Sequence, residues 1–568
     1  MIFITLFVAS RKYTPVSVDK MVFEPVIFLF FFIVLVLSCF FYSKTYNEPI
    51  HPDSAEFIYP GLMQRLGFGK EYYQVYKNGR YVPAPLHFNR FPPHPEEIRD
   101  ERFAPIGSYP RFRQKMLIWV IYELLFKYTD ISPRRFRFVN ATVFGATSFL
   151  LALIIYSQTG FVVALWWMTF FMLLLMLPHF DYYQIHAEIW GAFGLVAAFY
   201  CVILNSTLGN RYYLLLAGII LFVVFFLVKI TFLPTTGLFI LSPVILSGDW
   251  SGALSLTITI GVSLSACIVF LIIFGRGKPL LWTFNIANWG KYNRRASTSR
   301  SYSKNKQPDI LTTGKLLRHY RLELGLVSVA CGMGLIWLLA AEKTALQLVL
   351  ALWVMTAALE ILVQRKFYPA HYIPIIAPGI MFIALLPDSA VIILLKILFS
   401  IGVLILWLRW YVFNPLTLTE AYGHVSGNPF GKTLMLTEKV ARFIRENSEP
   451  EDTIVVLGYA SPVYVLAERK AALGIMECTL TLEPDNMNRL YGPRWWWWVK
   501  KSIRQSRAKF IIDFDGRCQV DELNQSTGLY YKLDRIISDT IRIFKLMPIG
   551  TPPGATQYPN RGLFLSNA

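Results

Sequence analysis

Apolar residues in this chain come in long blocks rather than in alternation. Eleven runs approach or reach the roughly 20 residues that an α-helix needs to cross a bilayer: residues 22–42, 138–156, 161–177, 189–204, 213–228, 232–246, 252–274, 322–341, 345–363, 373–386 and 391–410. Two polar stretches, 43–137 and 275–321, interrupt them. Inside the first, residues 116–126 form an apolar run too short to span, which predicts a helix lying at the interface. From residue 414 the pattern changes to that of a soluble domain. Helical periodicity at 436–446 and 462–468 alternates with short strand-like runs at 453–457 and 509–514.

These patterns predict a polytopic α-helical membrane protein with about 11 spans and a C-terminal soluble α/β domain. The expected division is an N-terminal extension at 1–21, a transmembrane domain at 22–413 and an α/β domain at 414–568. Arg11, Lys12 and Lys20 precede the first run and favour a cytoplasmic N-terminus. An odd number of spans then places the C-terminal domain on the other side, periplasmic or extracellular if the membrane is a bacterial inner membrane. The apolar start at Met1 lacks a basic lead and a small-residue cleavage site, so no signal peptide is expected, and Met21 stands as an alternative start.

Charge adds one point. The formal net charge is +19, concentrated in loops, and indicates phosphate groups or anionic lipid as partners. No recognition fold for nucleic acid is legible, so nucleic acid is not expected. Cys39, Cys201, Cys267 and Cys331 fall in apolar runs, where a thiol behaves as a small hydrophobe. Cys478 and Cys518 lie in the polar C-terminal part and could pair only in an oxidising compartment. Four consecutive indoles, Trp495 to Trp498, are flanked by Arg494, Lys500 and Lys501, a composition suited to a bilayer interface or to holding a lipid acceptor.

The residues with chemistry to offer stand at the ends of apolar runs. His51-Pro52-Asp53-Ser54-Ala55-Glu56 follows the first run directly. Asp53 at an N-cap with Glu56 three residues later is one reading, in which the acids satisfy free amides at a helix start. A carboxylate held beside a rigid proline at a membrane edge also suits a general base. Asp181 and Glu188 are seven residues apart, two helical turns, with His186 between them, and residues of this kind also occur as simple water-facing groups. Lys229 ends a run and is free to snorkel to the interface or to meet a phosphate. Arg365, Lys366, His371 and Tyr372 form a denser group, in which Arg supplies a bidentate fork for phosphate and Lys a point charge.

His-Pro-Asp followed by an acid, in the loop after the first span, resembles the GT-C superfamily of polyprenyl-phosphate-sugar glycosyltransferases. The order of a first span, a large loop, many spans and a soluble C-terminal domain is similar to that of lipid A aminoarabinose transferases and protein O-mannosyltransferases. Ser54 and Ala55 separate Asp53 from Glu56, so the tighter His-Pro-Asp-Glu of some mannosyltransferases is not reproduced. The resemblance implies transfer of a sugar from a polyprenyl phosphate to an extracytoplasmic glycan, lipid or protein. Asp53 would act as base, Glu56 and Asp181 would orient the acceptor or the base, and Lys229, Arg365, Lys366, His371 and Tyr372 would receive the donor, with His186 and Glu188 beside the substrate. A single displacement would invert the anomeric centre. No cofactor is expected, although a divalent metal between Asp53 and Asp181 would be compatible with the superfamily.

The resemblance also implies that the 275–321 loop closes over the site. That loop holds eleven Lys or Arg and a single acid, Asp309, a balance that favours the cytoplasmic side for so short a loop. Motif order puts it on the side of Asp53, and motif order is followed here. A transporter or flippase of a lipid-linked anion is the alternative from another class, and a structural assembly subunit is a third.

Overall fold

The computed structural model describes residues 25–67, 74–77, 80–83, 116–180, 182–273, 344–364, 369–413, 418, 431–458, 460–472, 500, 503–514, 518–538 and 541–548. In chain order the elements are α1 (Pro25–Thr45), α2 (Pro52–Arg65), β1 (Gln74–Lys77), β2 (Arg80–Pro83), α3 (Met116–Tyr128), α4 (Pro133–Thr159), α5 (Phe161–Met176), α6 (Ala187–Leu208) and α7 (Tyr212–Phe222). There follow α8 (Leu233–Ser247), α9 (Trp250–Ile273), α10 (Ala345–Gln364), α11 (Ile373–Leu385), α12 (Ala390–Tyr411) and α13 (Gly431–Glu446). The chain continues through β3 (Thr453–Leu457), α14 (Pro462–Ala467), β4 (Lys470–Ala471), β5 (Phe510–Asp513), α15 (Val520–Thr527), β6 (Tyr531–Ser538) and β7 (Ile541–Leu546).

Two compact units result. The first comprises Met1–Glu48, Phe112–Ile118 and Pro133–Gly431, and the second Pro49–Arg111, Trp119–Ser132 and Lys432–Ala568.

In the first unit, α1, α4, α6, α9, α12 and α8 with its leading turn are long and apolar enough to cross a membrane. α5, α7 with its final turn, α10 and α11 are shorter apolar helices. Ten of the eleven expected runs thus coincide with helices, and the run at 322–341 lies outside the described residues. Amphipathicity is inverted relative to a soluble bundle. Leu254, Ile258 and Val262 on α9, and Val391, Leu394, Leu398 and Ile405 on α12, are exposed large apolar residues suited to lipid. Polar groups turn inward instead.

α11 shows the interior most clearly, since every residue from Ile373 to Ala384 is buried. Its last turn is closed by Lys396 of α12, which donates to the carbonyls of Leu386 at 2.9 Å and Ala384 at 3.3 Å and to Asp388 at 3.1 Å. A cation at a helix C-terminus satisfies orphan carbonyls and favours the helix dipole. α4 likewise buries polar groups that fix the segment entering α6. Arg137 donates to the carbonyl of Tyr183, and Asn140 donates to that of Gln184 at 2.6 Å. Tyr182 stands edge-on to Phe144, with centroids 5.4 Å apart.

The second unit is built on a five-stranded sheet of order β4-β3-β5-β7-β6. β4, β3 and β5 are parallel, while β5-β7 and β7-β6 are antiparallel. Both faces are covered, which is why 454–456 and 510–512 read as continuous apolar runs rather than alternations. Val455, Ile511 and Phe544 share a core with Leu523 of α15 and Ile503. On α13, Phe443 meets Phe510 edge-on at 6.1 Å. The helices and strands expected at 453–457, 462–468 and 509–514 are present to within one residue at each end, the helix expected at 436–446 begins five residues earlier, and β6 and β7 are additional to them. Cys518 is a free thiol, and Cys478 lies outside the described residues.

Candidate active site

The site in the first unit is made by three chain breaks. α7 ends in a π-helical turn, Val223–Val228, whose wide step is closed by Lys229 N–H donating to the Val224 carbonyl at 2.9 Å. Such turns occur often where a helix serves a functional site. Lys229 itself is extended (φ −161°, ψ 120°), and a short 3-10 turn, Ile230–Phe232, leads from it into α8. The two other breaks are the entry to α6, which carries Glu188 in its first turn, and the 3-10 turn Pro369–Tyr372, which carries His371 ahead of α11.

Close packing of α6 against the Lys229 turn brings the groups together. Gly191 and Gly194 follow Glu188 at helical spacing. A Cβ on Gly191 would stand 2.2 Å from the Phe232 ring, and one on Gly194 would stand 2.3 Å from Val224. Only residues without a side chain allow that approach. As a result the Lys229 ammonium donates to Glu188 Oε1, and His371 Nε2 lies 3.4 Å from the same oxygen. The three side chains are each less than a tenth exposed. A carboxylate in the first turn of α6 also sits favourably at the positive end of that helix.

A second carboxylate stands nearby. Glu360 of α10 is buried and accepts from Thr235 Oγ1 at 2.7 Å and from Thr235 N–H at 3.3 Å. Thr356, one turn earlier, is 3.0 Å from the Thr235 hydroxyl. Glu360 thereby caps the first turn of α8 from a neighbouring helix, and it lies within the electrostatic reach of Lys229. Sequence reasoning passed over it. The available signal was an acid inside the apolar run 345–363, where an ionisable group is expensive and calls for a partner.

The candidate residues divide as follows. Glu188, Lys229 and His371 converge. Lys229 is buried and ion-paired, so the snorkelling reading does not hold, and Glu188 is buried rather than water-facing. His186 is half-buried at the N-cap of α6 and makes no side-chain cap bond. Tyr372 is buried at the N-cap of α11. Asp181, Arg365 and Lys366 lie outside the described residues, as do the loop 275–321 and Trp495 to Trp498.

Asp53 and Glu56 belong to the second unit, on α2. That helix begins with Pro52 at its first position, where the missing N–H costs nothing, and Ala55 N–H donates to the His51 carbonyl at 3.0 Å. Asp53 is therefore inside the first turn and not at the cap, so the capping-box reading of Asp53 and Glu56 is corrected. The helix is held from two sides. Gly61 passes so close to α3 that a Cβ would be 2.7 Å from the Glu123 carbonyl oxygen, and Gln64 donates to the Glu123 carboxylate. From the sheet side, Ser461 Oγ donates to the Pro52 carbonyl at 3.2 Å, and Ala471 N–H donates to the Tyr59 hydroxyl at 2.7 Å. Arg65 pairs with Glu468 at 2.9 Å.

Among the described residues no three of His, Cys, Asp and Glu converge as a metal site. Fold and site together define a multi-pass α-helical membrane protein with a buried charge cluster at its helix ends and a mixed-sheet unit drawn from two distant parts of the chain. No family model matches the chain, and no curated protein sequence matches it. Among solved structures it is similar to ArnT from Cupriavidus metallidurans bound to undecaprenyl phosphate, at 13% identity and a TM-score of 0.48, over 91% of this chain and 97% of that one. A likeness of that degree leaves the function to the residues.

Proposed function

We propose that this protein is an integral-membrane glycosyltransferase of GT-C type, which moves a sugar from a polyprenyl-phosphate donor to an extracytoplasmic glycan, lipid or protein. The observation that carries the reading is the buried Lys229–Glu188–His371 cluster. An ammonium kept away from water, at a helix end and beside a histidine, is a receiver for an anionic headgroup. Without donor, Glu188 neutralises Lys229. With donor, the phosphate would compete for that ammonium, and His371, 3.4 Å from the same carboxylate oxygen, would donate to a second phosphate oxygen. Charge neutralisation lets the phosphate leave without being protonated. Arg365 and Lys366, just before the His371 turn in the chain, would add to it.

Asp53 is the proposed base, taking the acceptor proton as the acceptor attacks the anomeric carbon, with inversion. Glu56 and Asp181 would orient the acceptor or the base. The catalytic face is the side opposite a cytoplasmic N-terminus.

Two variants of the full chain in nanodiscs test this. Lys229→Ala should weaken binding of undecaprenyl phosphate at least tenfold, while Asp53→Asn should leave that binding within twofold and abolish sugar transfer to envelope glycans measured by mass. An Asp53→Asn protein that still transfers sugar would sink the reading. Movement of lipid across the membrane by that variant would favour the transporter class.

A further inference from the structure

The sheet of the second unit places its carboxyl-end loops where open α/β folds hold their ligands, beyond the ends of the parallel strands. Here the loop after β3 holds another part of this chain. Gly458, at φ 100°, makes a turn that residues with a Cβ rarely adopt, and the chain then delivers Ser461 to the Pro52 carbonyl. That carbonyl belongs to the peptide group joining Pro52 to Asp53. Ser461 is buried, so its hydroxyl bond is shielded from water.

Two further ties fix the rest of α2. Tyr59 is buried and takes the N–H of Ala471 on β4, a sheet-edge donor that would otherwise need another strand or water. Burial holds the Tyr59 phenol above its ordinary pKa, so it stays neutral in this role. Tyr464 stands edge-on to it with centroids 6.3 Å apart, its own hydroxyl accepting from Val456 N–H at 2.7 Å. Arg65 closes the far end on Glu468, a residue held at φ 58°. Helix α2 is thus fastened at its first, eighth and last residues to the two ends of α14 and to the edge strand β4 that follows it.

We infer that the C-terminal α/β unit is the seat of the catalytic helix, and that Ser461 is a positioning residue which sets the Pro52–Asp53 peptide, with Tyr59 fixing the helix behind it. This rests on Asp53 being the base. A base displaced by a fraction of an ångström loses turnover more than it loses donor binding, because the donor is held elsewhere. The unit's own ligand end is then occupied by α2, which separates this domain from α/β modules that bind a diffusible molecule.

The test uses the full chain in membrane vesicles, with total polyprenyl-phosphate sugars extracted from the same host membranes as donor and glycan mass as readout. Ser461→Ala and Tyr59→Phe should each lower kcat about tenfold with KM for the donor extract within twofold. Both should shift the acid limb of the pH–kcat profile and speed amide exchange in the peptide covering 52–65, while strands β3 and β5 stay protected. Ser461→Thr, which keeps the hydroxyl, should recover most of the turnover. An Asp53→Asn protein without activity, beside a Ser461→Ala protein with wild-type kcat and pH profile, overturns the positioning role alone. Unchanged exchange over 52–65 in both variants overturns it too. Activity in Asp53→Asn removes the reading beneath it, and the role in turnover goes with it.

Discussion

Lys229 pairs with Glu188 and lies within the field of a second buried carboxylate, Glu360, and the difference between the two can be measured. Lys229→Met removes the ammonium paired with Glu188, keeps His371 Nε2 at 3.4 Å, and leaves Glu188 and Glu360 both buried. Breaking a buried pair from one side costs about 3–5 kcal/mol. Glu188→Gln is nearly isosteric, keeps an acceptor for the ammonium, and leaves Lys229 in the field of Glu360. Its cost should be about 1–2 kcal/mol, the scale of one charge-assisted hydrogen bond weakened to a neutral one. The double variant decides the matter. In the Lys229→Met background Glu188→Gln removes a buried negative charge that has lost the Lys229 ammonium, so there it should stabilise. The expected coupling is about 2–3 kcal/mol and changes the sign of the Glu188→Gln effect between backgrounds. Equilibrium unfolding of the full chain by steric trapping in lipid bicelles reads these differences. Costs that simply add, or a Glu188→Gln penalty exceeding that of Lys229→Met, would refute the account of the cluster.

Gly191→Ala should cost about 1–3 kcal/mol, because its Cβ meets a buried Phe232 ring at 2.2 Å, and it should weaken undecaprenyl phosphate binding by spreading α6 from the Lys229 turn; thermal unfolding and lipid titration check both. Arg469 is buried and donates to the carbonyls of Ala467, Glu468, Arg445 and Ser448 and to the Ser448 hydroxyl, so Arg469→Ala should expose the second unit to protease while the spans stay folded. Burial, with the charge of Asp513, pushes the Cys518 thiol up from 9.0 to about 12. The unfolded chain therefore loses that proton first as pH rises, and the contribution to stability present below pH 9.0 is lost progressively toward pH 12, which a pH series of unfolding measurements on wild type and Cys518→Ser reads out. Native Cys518 should also resist iodoacetamide at pH 8 until the unit is unfolded.

Block length made the spans legible, because a run near 20 apolar residues has few other fates in water. Glu188, Lys229 and His371 were each legible as charges at run ends. Their meeting was not, since Lys229 and Glu188 are 41 residues apart and the contact depends on two glycines opposite a phenylalanine and a valine. Glu360 was missed because one acid scarcely lowers the hydropathy of its run, although its cost inside a membrane is what marks it. The capping reading of Asp53 placed the helix start after the acid, whereas Pro52 opens the helix one residue before it. β6 and β7 escaped because exposed positions interrupt β6, and the charged residues there break the strand pattern. The hold of Ser461 on Pro52 crosses 409 residues, and no local periodicity records it.

The tie between Tyr59 and Ala471 spans 412 residues of chain. At synthesis speeds of about 5–20 residues per second, some 20–80 s separate the emergence of the two. During that interval every intervening span must enter the bilayer while α2 has no sheet edge to rest on. Helix α2 is thus made early and completed late, and a chain released just short of Ala471, with all the apolar runs already synthesised, would present its His-Pro-Asp segment without that tie.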